Sequence, residues 1–150
     1  MPQSFTSLYF HLVFSTKQRQ PLLDADLRPR LFEYIGGILR GRGGTLISAG
    51  GTADHVHLLA LVAKTRSIVD TLRDVKANSS GWIHEEFPDR KCFAWQAGYG
   101  AFTVSYSAID DVKHYLAIQE EHHQVRSFQE EFRGILRRHE LEWDERYVWD

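Results

Sequence analysis

At 150 residues, 43% hydrophobic and 25% charged, the chain has the length of one domain and the composition of an ordinary globular protein, which excludes a low-complexity polypeptide. Its lone cysteine, Cys92, excludes an internal disulfide and a cysteine-built zinc site. A net charge of −2 and a pI of about 6.4 weigh against a uniformly basic nucleic-acid binder, yet the acids gather late (Glu120, Glu121, Glu130, Glu131, Glu140, Glu142) and many bases precede residue 92, so a basic face opposite an acidic one stays open. The start, Met1-Pro2-Gln3-Ser4, lacks the basic and apolar regions of a signal peptide, and no apolar run approaches a membrane span of roughly 20 residues. Residues 1–150 therefore read as a single cytoplasmic domain.

Along the chain, Leu8 to Phe14 is aromatic and branched and predicts a strand, followed by a polar loop, Lys17 to Pro21. From Asp26 to Arg40 the positions Leu27, Leu31, Tyr34, Ile35, Ile38 and Leu39 recur at helical spacing, with Pro29 tolerated in the first turn and Gly41 to Gly44 ending the helix. Thr45 to Ala49 predicts a short strand and Gly50-Gly51 a turn. The run His55 to Val62 is nearly all apolar, as in a strand buried on both faces. Ser67 caps a second helix whose period, through Ile68, Leu72, Val75, Trp82 and Ile83, lasts to Pro88. Strand lies within Phe93 to Ser105, with Gly98 and Gly100 as bends. Ser107 with Asp110 three residues on predicts a capping-box start for a third helix, running to about His123. Ser127 caps a fourth, ending near His139, and an aromatic tail follows (Trp143, Tyr147, Trp149).

The first six elements make β-α-β-β-α-β, the α+β ferredoxin-like pattern of an antiparallel sheet with helices on one face. Its open face must be covered or used, and the third helix is the candidate to lie there or to reach a partner subunit.

The sharpest local feature is Asp54-His55-Val56-His57. Residues two apart in a strand share a face, so His55 and His57 project side by side and can share a metal ion. Two structural histidines in a half-buried strand are the plainer alternative, although each then needs polar partners amid Val and Leu. The spacing alone does not name a chemistry, since zinc hydrolases and phosphoesterases use it too. On the third helix, Tyr115 and Gln119 lie four apart and stack on one face. Gln119 offers an amide oxygen as a third ligand and Tyr115 a hydroxyl. A metal on such donors keeps open positions for the oxygens of a phosphodiester, and a phenol can attack in line to give a covalent phosphotyrosine. By periodicity alone Tyr115 also fits a core aromatic and Gln119 a surface amide. His122 and His123 read as solvated residues at the helix end.

Taken together, His55-Val56-His57 and Tyr115-Leu116-Ala117-Ile118-Gln119 resemble the single-tyrosine HUH transposases of single-stranded-DNA insertion sequences, to which REP-associated tyrosine transposases are related. Phe10 to Lys17 is similar to that family's first strand and basic loop, Asn78 to Ile83 to its second-helix segment, and Trp95 to Ser105 to the signature before the tyrosine helix. One departure is Ile118, where the family often has Asn; the acidic pI is another.

The resemblance implies a homodimer that binds DNA hairpins at element ends, cleaves single strands through a 5′-phosphotyrosine, and rejoins them. It makes Tyr115 the nucleophile and His55, His57 and Gln119 the ligands of Mg²⁺ or Mn²⁺, of which Mn²⁺ suits imidazole better. Candidate DNA contacts are Lys17, Arg19, Arg40, Arg42, Arg73 and Lys76. Two other readings stay open: a metal-dependent phosphoesterase using water, and a non-catalytic DNA-hairpin-binding protein.

Overall fold

The computed structural model describes residues 2–119 and 126–150. Four strands, β1 (Tyr9–Ser15), β2 (Thr45–Gly51), β3 (His55–Leu61) and β4 (Gly100–Val104), form one sheet in the order β2-β3-β1-β4. Every neighbouring pair is antiparallel. With α1 (Leu27–Gly41) and α2 (Ile68–Glu86) between the strands, this is the expected ferredoxin-like arrangement.

Alternation along the strands builds two cores. Leu12, Phe14, Val56, Leu58 and Ala60 point to one face and pack against Leu31, Ile35, Leu72, Val75 and Ile83 of α1 and α2. Val13 and Phe102 point to the other face. There they meet Phe128, Phe132, Ile135 and Leu136 of α4 (Phe128–Arg138) and partly buried Trp143, Val148 and Trp149 of the tail. Helix α4 has 11 residues, too short to persist alone in water. Burial of its large side chains, at about 1.5–3 kcal/mol each, is what holds it.

The second face is therefore closed by two elements, where the third helix alone was the candidate. Helix α3 (Ile109–Ala117) lies against β2 and β3, and α4 with the tail covers Val13 and Phe102. The tail is clasped by Glu145. Its carboxylate accepts both Arg133 contacts, at 2.7 and 3.0 Å, and the indole N–H groups of Trp143 and Trp149, at 2.9 and 3.0 Å.

Predicted caps hold where the side chain reaches the backbone: Ser67 accepts from the Asp70 N–H at 3.0 Å and Ser127 from Glu130 at 3.2 Å. The capping box at Ser107 does not form. A 3₁₀ turn, Tyr106–Ala108, precedes α3, and Ser107 Oγ lies 3.2 Å from Ser105 Oγ instead. Helix α3 was expected to run to about His123 but ends at Ala117, where Ile118 leaves helical geometry as its C-cap; His122 and His123 lie outside the described residues.

Gly50 and Gly51 are strand rather than turn, paired with His57 and Val56. Packing supplies the reason for Gly50. A Cβ there would overlap the carbonyl oxygen of Leu116, so glycine is what lets the end of α3 lie on β2. Gly50→Ala is expected to lift α3 and cost about 1–3 kcal/mol, read by thermal unfolding; an unchanged melting temperature would show that α3 does not depend on this approach.

The hydrogen bonds from Arg133, Trp143 and Trp149 lower the Glu145 pKa to about 2. The depressed value means that the clasp holds above the ordinary carboxylate range and is lost as pH falls through about 2. Tryptophan emission should shift to the red in that acid window, and already at neutral pH in Glu145→Ala.

Candidate active site and metal centre

Strand β3 carries His55 and His57 on the face that α3 and α4 cover, while Val56 faces the first core. Both imidazoles are fully buried. Burial without partners would be costly, and each ring nitrogen has one. His55 Nδ1 lies 2.7 Å from Asp54 Oδ1 and 3.1 Å from Thr52 Oγ1. That leaves Nε2 facing inward, 3.4 Å from Gln119 Oε1. His57 Nε2 lies 2.8 Å from Glu131 Oε1, and its Nδ1 lies 2.7 Å from His11 Nε2.

His11 extends the cluster across the sheet. Burial, with His57 beside it, lowers its pKa to about 3, so it stays neutral and can either donate or accept. When His57 Nδ1–H donates to His11, the His57 Nε2 lone pair faces inward. When His11 donates, His57 Nε2–H donates to Glu131. His11 thus governs whether His57 Nε2 can ligate a metal.

Tyr115 and Gln119 come from the end of α3 and the residues just beyond. The Tyr115 ring centroid is 5.7 Å from that of His57, nearly perpendicular to it, and 6.1 Å from that of His11. Burial raises the phenol pKa well above its ordinary value. The Glu131 carboxylate adds to the rise through its hydrogen bond and charge, and Gln119 opposes it. Gln119 Nε2 donates to the Tyr115 carbonyl at 3.3 Å, which aims the amide oxygen at His55.

Sequence reasoning missed Glu131 and His11. Glu131 is 1% exposed on α4, and its carboxylate oxygen and one nitrogen from each of His55 and His57 all lie within 4.8 Å of one another. One signal was legible: Glu131 falls between Phe128 and Phe132 on the apolar face of a helix, where an acid needs a partner. His11 likewise alternates with Val13 and Ser15 on the site's face of β1. The donor set suits a divalent metal. Two neutral imidazoles and a carboxylate, with an amide oxygen adjoining, fit a first-row ion such as Mn²⁺ better than the all-oxygen preference of Mg²⁺.

The sequence profile of the IS200-like transposases matches residues 4–119. The chain belongs to that family. It is 25% identical over 115 residues to the transposase of insertion sequence IS200 from Salmonella typhimurium, covering 71% of this chain and 76% of that one. It is also 25% identical over 117 residues to the ISDra2 transposase TnpA of Deinococcus radiodurans, covering 75% and 84%. The fold matches the crystal structure of a putative transposase from D. radiodurans with a TM-score of 0.65 at 24% identity, over 79% of this chain and 98% of that one. It matches a REP-associated tyrosine transposase bound to a REP hairpin with a TM-score of 0.57 at 12% identity, over 79% and 70%. The family match ends at Gln119, so α4 and Glu131 lie beyond it. Among the described residues no helix is long and apolar enough to cross a membrane.

The basic candidates do not converge on these histidines. Lys17 and Arg19 are exposed in a 3₁₀ turn where Gln18 and Arg19 have positive φ. Arg40 is exposed on the last turn of α1. Arg42 pairs with Asp74 at 3.2 Å and Arg73 with Asp70 at 2.9 Å. Lys76 turns inward onto the carbonyls of Gln96, Ala97 and Gly98.

Mn²⁺ at 100 times its Kd is expected to stabilise the fold by about 2.7 kcal/mol. His55→Ala should abolish that thermal shift, and His11→Phe should weaken Mn²⁺ about 10–100-fold by freeing the His57 tautomer. A shift that survives His55→Ala would place the ion elsewhere.

Proposed function

We propose that this chain is a metal-dependent DNA strand transferase. It cleaves single-stranded DNA at hairpin-bearing ends of an insertion sequence and rejoins it, with Tyr115 as nucleophile. The observation that carries the reading is the meeting of Tyr115 and Gln119 with the His55–His57 pair inside one chain, in a member of the IS200-like transposase family.

His55, His57 and Gln119 would hold Mg²⁺ or Mn²⁺, with the Glu131 carboxylate in the same donor set, and the ion would supply Lewis-acid polarisation of the scissile phosphate and offset its developing negative charge. The Tyr115 oxygen attacks phosphorus, forming the 5′-phosphotyrosine and releasing a 3′-hydroxyl. Because the phenol pKa is raised, the hydroxyl is protonated at neutral pH and must lose its proton during attack. The Glu131 carboxylate, whose charge helps to raise the pKa of that hydroxyl, is the base to take it. Gln119, fixed by the Tyr115 carbonyl, holds the oxygen ligand one turn from the nucleophile. Attack of a 3′-hydroxyl on the phosphotyrosine reverses the step and joins strands without ATP. The homodimer implied by the resemblance is not needed to bring these groups together, although it would supply a second hairpin site.

One observation favours a second reading, a hairpin-binding protein with a closed catalytic site: His55, His57, Glu131 and Gln119 are at most 2% exposed. Incubation with Mn²⁺ and labelled single-stranded DNA flanking its own gene, followed by a denaturing protein gel, separates the two. The strand transferase gives a labelled protein band that Tyr115→Phe and a chelator both remove. Hairpin binding without a band favours the second reading, and cleavage surviving Tyr115→Phe would point to water as nucleophile.

A further inference from the structure

The segment preceding β4 forms, with α2, a cavity of about 500 Å³ that the chemistry above does not use. Its depth is apolar: Leu72 and Trp95 are buried. Its rim exposes two apolar side chains that no packing requirement explains, Val69 at 61% and Tyr99 at 37%. Among the described residues no acid lines it, whereas Arg73 and Lys76 do.

The Tyr99 wall is built rather than loose. Lys76 Nζ donates to the carbonyls of Gln96, Ala97 and Gly98 at 3.0, 3.2 and 2.6 Å. The same ammonium lies 5.4 Å from the Tyr99 ring centroid and 5.1 Å from that of Phe14. The backbone N–H of Gln96 donates to the Ser15 carbonyl at 2.9 Å, and its side chain accepts from the Ser15 N–H at 2.8 Å. Ser15 pairs in register with His55. The wall of the cavity is thus tied to the strand position beside the first histidine. At the rim, Arg73 is 65% exposed and, among the described residues, paired with Asp70 one turn away, a surface pair of small worth from which the guanidinium can turn to another anion.

We propose that this cavity binds one unpaired nucleotide of single-stranded DNA, the base stacking on Tyr99 over the apolar floor and its phosphate meeting Arg73. An aromatic wall, an apolar floor and cations without acids are what a base with its phosphate requires. The site would fix the register of the strand entering the histidine cluster, and it rests on the DNA reading proposed above.

The test is fluorescence anisotropy of a labelled single strand of randomised sequence, in the metal-free Tyr115→Phe chain so that cleavage cannot intervene. Tyr99→Ala should weaken binding about 5- to 100-fold while Tyr99→Phe restores it. Arg73→Gln should lower both the affinity and its salt dependence. Val69→Glu, at an exposed helical position, should weaken binding by placing an acid at the rim, and it decides the matter if Tyr99→Ala fails to fold. Unchanged affinity in Tyr99→Ala, or in Val69→Glu when that variant decides, overturns the cavity alone, with phosphotyrosine formation in the Tyr115 chain unaffected. A parent chain that binds no single strand overturns the DNA reading and the cavity with it.

Discussion

A carboxylate placed in the middle of an apolar helix face must find a partner, and the contact of Glu131 with His57 is the constraint around which the second half of this structure is arranged. A buried carboxylate without compensation costs several kcal/mol, so α4 can close over the sheet only where the histidines wait for it. Phe128, Phe132, Ile135 and Leu136 supply the hydrophobic drive, but they do not set the register. Glu131 does, by requiring His57 Nε2 at hydrogen-bond distance. The Glu145 clasp then ties the aromatic tail to α4 through Arg133.

The sheet gives the site its rigidity. Register between β1 and β3 brings Val13 opposite His57 and Ser15 opposite His55, and the alternation of β1 puts His11 within reach of His57. On the β2 side, Gly50 permits the backbone of α3 to touch the strand, which brings Tyr115 over the imidazoles without any residue from a second chain. Both imidazoles and the Gln119 amide therefore have partners in the same polypeptide: Asp54 and Thr52 for His55, His11 and Glu131 for His57, the Tyr115 carbonyl for Gln119. Networks satisfied in this way fix one arrangement of the core.

Much of this was legible because it is local or periodic. The alternation at His55 and His57 and the Ser67 and Ser127 caps follow from backbone geometry within a few residues. The ferredoxin-like order follows from the sequence of elements. What escaped depends on long-range contact. Glu131 meets residues more than seventy positions away and lies beyond the residues that match the family, so its place on an apolar helix face could ask for a partner but neither spacing nor resemblance could say which. The glycines at 50 and 51 read as a turn because their reasons are close approaches, of α3 to Gly50 and of the His55 carbonyl to Gly51, that the sequence alone does not show. Ser107 offered a capping pattern, but a 3₁₀ turn took its place. Lys76 read as a candidate DNA contact, whereas its ammonium is held by three carbonyls that only the folded chain brings together.

The central claim is that one polypeptide brings its own tyrosine to its own histidines, and a complementation assay tests it most directly. Tyr115→Phe and His57→Ala chains, each inactive alone, are mixed with Mn²⁺ and a single strand on which the parent chain forms the covalent adduct. The account predicts that the mixture stays inactive, because neither chain carries both halves of the site. Recovery of the adduct on the His57→Ala chain would contradict it and show that the tyrosine serves the histidines of a partner.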